Sequence, residues 1–151
     1  MRLVISGLFV IFPIVALAQT RPAIRRTNPP TLSKPTGYTH VVEATAGKTV
    51  YISGQIAFDN EGKLVGEGDM KAQAEQVFKN LQAALSAAGA TFKDVVKMNT
   101  YVTDMSQVQA IRDIRGRYFG ETTPASTLVQ VVHLARPELM VEIEVIAVVA
   151  Q

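Results

Sequence analysis

The sequence predicts an α+β domain, a mixed sheet with two helices on one face, and three observations carry that prediction. Apolar residues recur at two-residue spacing in short runs near both ends of the chain but at helical spacing between them, through Ala74, Val77, Phe78, Leu81, Leu85 and Ala88. Only one further helical stretch follows, so the elements run β-β-α-β and then α-β-β. The last run, 139–149, sets Val141, Ile143, Val145 and Ala147 on one face and Glu142, Glu144, Ile146 and Val148 on the other. Two helices cover one side of such a sheet. The last strand, and Thr127, Val129 and Val131 against Leu128 and Val132, offer apolar groups to both sides, so the uncovered side is expected to meet another subunit in a closed homo-oligomer. A carboxylate in the middle of a strand covered on both faces needs a partner or a task, which singles out Glu142.

Taken in order, residues 1–18 read as a secretory signal peptide: Arg2 supplies a positive start, residues 3–15 an apolar stretch, and Ala16, Leu17 and Ala18 a small-residue cleavage site. The apolar stretch is shorter than the roughly 20 residues that span a bilayer and contains Pro13. Cleavage after Ala18, a periplasmic or secreted location and no stable membrane association afterwards are the expectations. Residues 19–37 carry four prolines and no apolar period, and are expected to form an extended or disordered lead-in to a domain over 38–151.

Within that domain, 40–44 and 49–53 are β-branched-rich runs around Thr45-Ala46-Gly47-Lys48, which predicts a hairpin. Gly54 breaks the second run, and Asp59-Asn60-Glu61-Gly62 marks a turn. Asp69 suits a helix start and Gly89 a left-handed stop, bounding the first helix. Residues 94–102 form a strand. Asp104 or Ser106 then caps a second helix through Phe119 that buries Val108, Ile111, Ile114 and Tyr118. Strands over 126–133 and 139–149, joined through Arg136 and Pro137, close the domain.

With 151 residues the chain suffices for one core without staples. A formal net charge of +2, and no basic block beyond Arg25 and Arg26, argue against nucleic acid as a main partner. The chain has no cysteine, which removes disulfides, thiol chemistry and cysteine-borne lipid anchors. No spacing of His, Asp or Glu suggests a metal site, no nucleophile is paired with a base, and no phosphate loop is present.

Ile52-Ser53-Gly54-Gln55, the helix end Ala87-Ala88-Gly89-Ala90, Asp94-Val95-Val96-Lys97, the Pro124-Ala125 step and Val141-Glu142-Ile143-Glu144-Val145-Ile146-Ala147 together resemble the Rid (YjgF-type) superfamily of reactive-intermediate deaminases. The resemblance covers nearly all of 38–149. It implies a chorismate-mutase-like fold assembled as a homotrimer with three intersubunit clefts. It also implies hydrolysis of enamines or imines, such as 2-aminoacrylate, to keto acids and ammonia with no cofactor and no metal. The cleft positions it carries over are Tyr38, Ser53, Gly54, Ser126 and Glu142, and a helix Asn of many members aligns with Arg112. Members that deaminate imino acids have Arg where this chain has Ser126, and a small residue, often Cys, at Leu128. A hydroxyl gives one hydrogen bond and no charge, so the charge-assisted grip on a carboxylate is lost at that position.

The residues themselves admit two readings each. Glu142 is either the base that takes a proton from a water aimed at an imine carbon, or a structural hydrogen-bond acceptor across a subunit boundary. Glu144 either shares the cleft or pairs with a nearby Lys or Arg. Ser53-Gly54 is a cradle for a polar ligand group, a bulge that turns the strand, or both. Tyr38 closes the cleft or anchors the domain's edge. Arg112 and Arg115, one turn apart, either supply the missing cation or are solvated. His40 and His133 sit at strand ends. The expected function is hydrolysis of an imine or enamine that is not a simple imino acid. The alternatives are a non-catalytic trimer of the same fold that binds a small metabolite, and a stress-related holdase that uses the trimer surface.

Overall fold

A computed structural model describes residues 23–149. The expected signal peptide and its cleavage site lie outside the described residues. Eight principal elements follow one another: β1 (Ala23–Thr27), β2 (Val41–Thr45), β3 (Lys48–Gln55), α1 (Met70–Ala87), β4 (Val95–Val102), α2 (Val108–Phe119), β5 (Ala125–Gln130) and β6 (Val141–Val149). β3, β6, β4 and β5 form a four-stranded mixed sheet in that order, with β4 and β5 parallel across α2 and the other pairs antiparallel. The two helices pack on one face of it, as the periodicity predicts.

That face is dry. Val141, Ile143 and Ala147 of β6 are fully excluded from water and Val145 nearly so, against Ala74, Val77, Phe78, Leu81 and Leu85 of α1. Phe78 stacks on Tyr118 with ring centroids 5.1 Å apart, and Phe92 and Phe119 complete an aromatic group that ties α1 to α2. α1 starts where Asp69 Oδ1 accepts from the Lys71 and Ala72 amides at 2.9 and 3.0 Å, which satisfies two otherwise orphaned donors.

Two amides on α1 do more than pack. The fully buried Gln73 donates to the carbonyls of Gly66 and Glu138 and accepts from the Met140 amide at 2.8 Å, which fixes the turn leading into β6. Asn80 donates to the carbonyls of Ile56 and Phe58 at 2.9 and 2.8 Å, which fixes the chain as it leaves β3. Amides with their partners supplied hold one arrangement, and here the buried Gln73 holds the chain just before Glu142 and the half-buried Asn80 the chain just after Gly54.

The strands depart from the sequence reading in three places. The lead-in is not structureless throughout: Ala23–Thr27 form β1, antiparallel to β2, and Arg26 donates to the carbonyls of Lys93 and Thr123. The expected hairpin of β2 with β3 does not form. The Ala46-Gly47 turn exists, with φ of 61° and 105°, but β2 pairs with β1 and β3 with β6. Edge pairing is decided by which strand lies alongside, and a local turn signal does not carry that information. Lastly, β5 ends at Gln130, short of the expected His133, and Val132 beyond it is 94% exposed.

Candidate functional site

β3 is irregular where it passes β6. Ile52 pairs with Val145 but Gln55 pairs with Ile143, so Ser53 and Gly54 stand opposite a single position. This is the bulge expected at Ser53-Gly54. Its consequence lies across the ladder: a Cβ on Gly54 would overlap Glu142 Oε1 and stand 2.7 Å from Cδ and 2.9 Å from Cγ. Only glycine lets the carboxylate lie over the bulge. The bulge therefore brings Gly54 against Glu142, while Ser53 lines a recess with Glu144.

Glu142 faces the sheet side that carries no helix. It is half-buried in the single chain, so the complete burial expected of a strand covered on both faces is not met there. With Tyr101, Val131, His133, Leu134, Ala135 and Glu144 it lines an open recess of about 600 Å³. A second recess of about 340 Å³ lies one step along the same face, over Tyr51, Ser53, Lys97, Asn99, Glu144 and Ile146.

Glu144 sits between the two. Its Oε1 accepts from Asn99 Nδ2 at 2.7 Å and from the Tyr101 hydroxyl at 3.1 Å, so the Lys or Arg partner expected for it is replaced by neutral donors. Lys97 instead donates to Thr127 Oγ1 at 2.8 Å. The hydrogen bond to Glu144, then burial and the charges of Glu144 and Glu142, raise the Tyr101 phenol above its ordinary pKa. Unlike Glu144, Glu142 takes no hydrogen bond among the described residues, and its lone pairs are open to a molecule in the recess.

The remaining candidates lie elsewhere. Ser126 pairs with Met98, whose side chain is in the core, so Ser126 and Leu128 face the helix side, whereas Glu142 pairs with Tyr101 on the open side. Tyr38 belongs to the Ser126 group. The next residue, Thr39, donates its amide to the Pro124 carbonyl at 3.0 Å and its hydroxyl to that of Thr123 at 2.8 Å. The Tyr38 ring meets His40 edge-on, 5.2 Å between centroids. Arg112 is exposed on α2, while Arg115 is half-buried against Gly37. One chain thus keeps the candidates apart: Ser53, Gly54 and Glu142 at the open face, Ser126 on the helix side of β5 with Tyr38 next to the Thr39 that clasps Thr123 and Pro124, and Arg115 against Gly37.

Comparison with known proteins converges on one family. The sequence profile described as Endoribonuclease L-PSP matches residues 31–149. The chain belongs to the Rid (YjgF-type) family. A crystal structure of a Rid-family protein of unknown function, YyfB from Yersinia pestis, superposes on this Rid chain with a TM-score of 0.78 at 40% identity, covering 83% of this chain and 98% of the other. The 2-iminobutanoate/2-iminopropanoate deaminase of Mus musculus is 38% identical over 129 residues, 85% of this chain and 91% of the relative. Protein DfrA of Myxococcus xanthus is 40% identical over 111 residues, 74% and 84% of the two chains.

The sequence reading of this Rid chain passed over Asn99 and Tyr101, and placed His133 at a strand end without a role. The first two had a signal. Lys97, Asn99 and Tyr101 alternate on β4 with the buried Met98, Thr100 and Val102, which puts a polar row beside the Glu142 and Glu144 row. His133 had none, because it reaches the recess through an irregular segment.

Proposed function

We propose that this chain is an imine or enamine deaminase that works in clefts between subunits of a homotrimer. The observation that carries the reading is Glu142 held over Gly54 beside a recess, with no competing hydrogen bond. Water attacks the carbon of C=N as Glu142 takes one of its protons. The resulting carbinolamine collapses, nitrogen receives a proton and leaves as ammonia, and a carbonyl compound remains. Glu142 gains that proton and passes it on to the nitrogen, ending the cycle as the carboxylate, so the chemistry asks for no cofactor and no metal. Gly54 leaves room for the Glu142 carboxylate, and Ser53 lines the neighbouring recess with Glu144.

The separation of Tyr38 and Ser126 from Glu142 on one chain supports clefts between subunits, and membership of the family supports three of them. The open face is lined by Tyr51, 78% exposed, and Ile146, and a neighbouring subunit on it would bury both and bring a Tyr38 and Ser126 rim towards Glu142. Relatives named as 2-iminobutanoate/2-iminopropanoate deaminases support the chemistry. Ser126 in place of Arg supports a substrate other than a simple imino acid. The apolar stretch before Ala18 supports export to the periplasm or beyond, and N-terminal sequencing of the protein from its native host would locate the cleavage.

The test uses purified protein with imines generated in place by an amino-acid oxidase or an amine oxidase, and semicarbazide to trap what has not reacted. Imine is expected to disappear faster with the protein, and Glu142→Gln is expected to cost roughly 100-fold or more while keeping the trimer. No acceleration with any imine would overturn the reading in favour of a trimer that only binds a small metabolite.

A further inference from the structure

The recess over Glu142 carries charge of one sign. Its lining includes the Glu142 and Glu144 carboxylates, the Tyr101 phenol and His133, and among the described residues no lysine or arginine. The two carboxylates stand one pleat repeat apart on the same side of β6, about 7 Å along the strand. Cations close by in the chain are committed elsewhere. Lys97, on the open side of β4, lines the neighbouring recess and gives its ammonium to Thr127 Oγ1 at 2.8 Å. Arg136, which follows the lining residue Ala135, pairs with Glu138 and lies over the Phe58 ring, 5.0 Å from its centroid.

The carboxylates differ in what answers their charge. Glu144 takes the Asn99 amide and the Tyr101 hydroxyl, dipoles without net charge, whereas Glu142 takes nothing among the described residues. Their joint field reaches Tyr101, whose phenol is raised above its ordinary pKa first by the hydrogen bond to Glu144, then by burial and by both carboxylate charges. Neutral donors soften a negative charge without cancelling it. What remains in a half-buried recess is screened less than on an open surface, and it concentrates cations.

An imine that takes a proton on nitrogen becomes a cation, and its carbon becomes more electrophilic. A recess that holds this form stabilises its charge and presents the carbon to the water that Glu142 deprotonates. An imino acid brings a carboxylate of its own, which the same field repels, and Ser126 offers no charge to hold it. We infer that the ligand of this recess is the iminium cation of a primary amine that carries no carboxylate, held by Glu142 and Glu144. The inference rests on the reading of Glu142 as the group that works on C=N. On that reading, R–CH=NH2+ and water give R–CHO and NH4+, the C=N bond giving way to C=O and both water protons ending on nitrogen. The class of reaction that must supply such a substrate is the two-electron oxidation of a primary amine.

Binding can be read without catalysis. Benzamidine is the probe, because its amidinium is a planar cation at a C=N carbon that persists in water; benzamide is its neutral counterpart and benzoate its anionic one. With the intact protein, calorimetry is expected to show benzamidine binding at least tenfold tighter than either, an advantage that shrinks as sodium chloride is added. Glu142→Gln is expected to weaken benzamidine at least tenfold and to leave benzamide unchanged, and Glu144→Gln to weaken benzamidine less. Benzamidine binding no tighter than benzoate, or binding undiminished in Glu142→Gln, overturns the inference. The ranking of the three probes on the unmodified protein decides the matter even where a variant fails to fold. If benzamidine binds through Glu142 but no imine is turned over, the deaminase reading falls alone. If imines from an amino-acid oxidase are hydrolysed in preference to those from an amine oxidase, this inference falls alone.

Discussion

The two faces of β6 differ in nearly every respect although they alternate residue by residue. Val141, Ile143, Val145 and Ala147 are sealed under α1, while Glu142, Glu144 and Ile146 between them stay half open to water in the single chain. The sealed face is apolar and closely packed. The open one holds two carboxylates, a phenol, an amide and two recesses. The contrast teaches that a strand can separate stability from chemistry by its pleat alone, one face holding the fold and the other presenting groups to a ligand or a second chain.

The largest effect that would test this division is Phe78→Ala. It removes the ring at the centre of the aromatic group and is expected to cost about 3–5 kcal/mol in denaturant unfolding. Tyr51→Ala on the open side is expected to change the stability of the dissociated chain by less than about 0.5 kcal/mol while weakening assembly in sedimentation. Comparable losses in the dissociated chains would erase the distinction between the faces.

A smaller effect sharpens it. Thr100 sits on the sealed face with a buried hydroxyl that has no partner among the described residues. Thr100→Val replaces that hydroxyl with a methyl group and is expected to raise unfolding stability by about 1 kcal/mol. A loss of stability would show that the sealed face depends on a polar contact.

The smallest effect belongs to Tyr101 on the open side. Its folded pKa is raised, so the contribution of its hydrogen bond to Glu144 is fully present below the ordinary phenol range and is lost as the pH climbs through the raised value. An ultraviolet absorbance titration is expected to show late phenolate formation in the native protein and a return towards ordinary behaviour in Glu144→Gln. Identical titrations would separate the two groups.

Legibility in the sequence followed the range of the interaction. α1 was readable because its cap, Asp69, its apolar spacing and its stop at Gly89, φ 73°, all lie within one stretch. The inward face of β6 was readable for the same reason. The partner of β2 was not, because the Ala46-Gly47 turn says how the chain reverses but not which strand it meets. Nor were the neutral donors to Glu144, which depend on the register of β4 with β6. Among the candidate site residues, Gly54 and Glu142 came together, Ser53 fell beside Glu144, and Ser126 lay on the other side of the sheet. The choice between Arg112 and Arg115 was half visible: Arg115 is one turn after Ile111 and so inclines towards the buried side. Its seat against Gly37 became apparent only in three dimensions.

Gln73 holds the chain just before Glu142 and Asn80 the chain just after Gly54, so one helix, α1, anchors both the carboxylate and its glycine, whereas Arg115 of α2 meets the segment that leads into Tyr38. Substitutions along α2 can thus move the Tyr38 segment while the seat of Glu142 keeps its shape, so that the two regions are free to drift apart in sequence without disturbing each other.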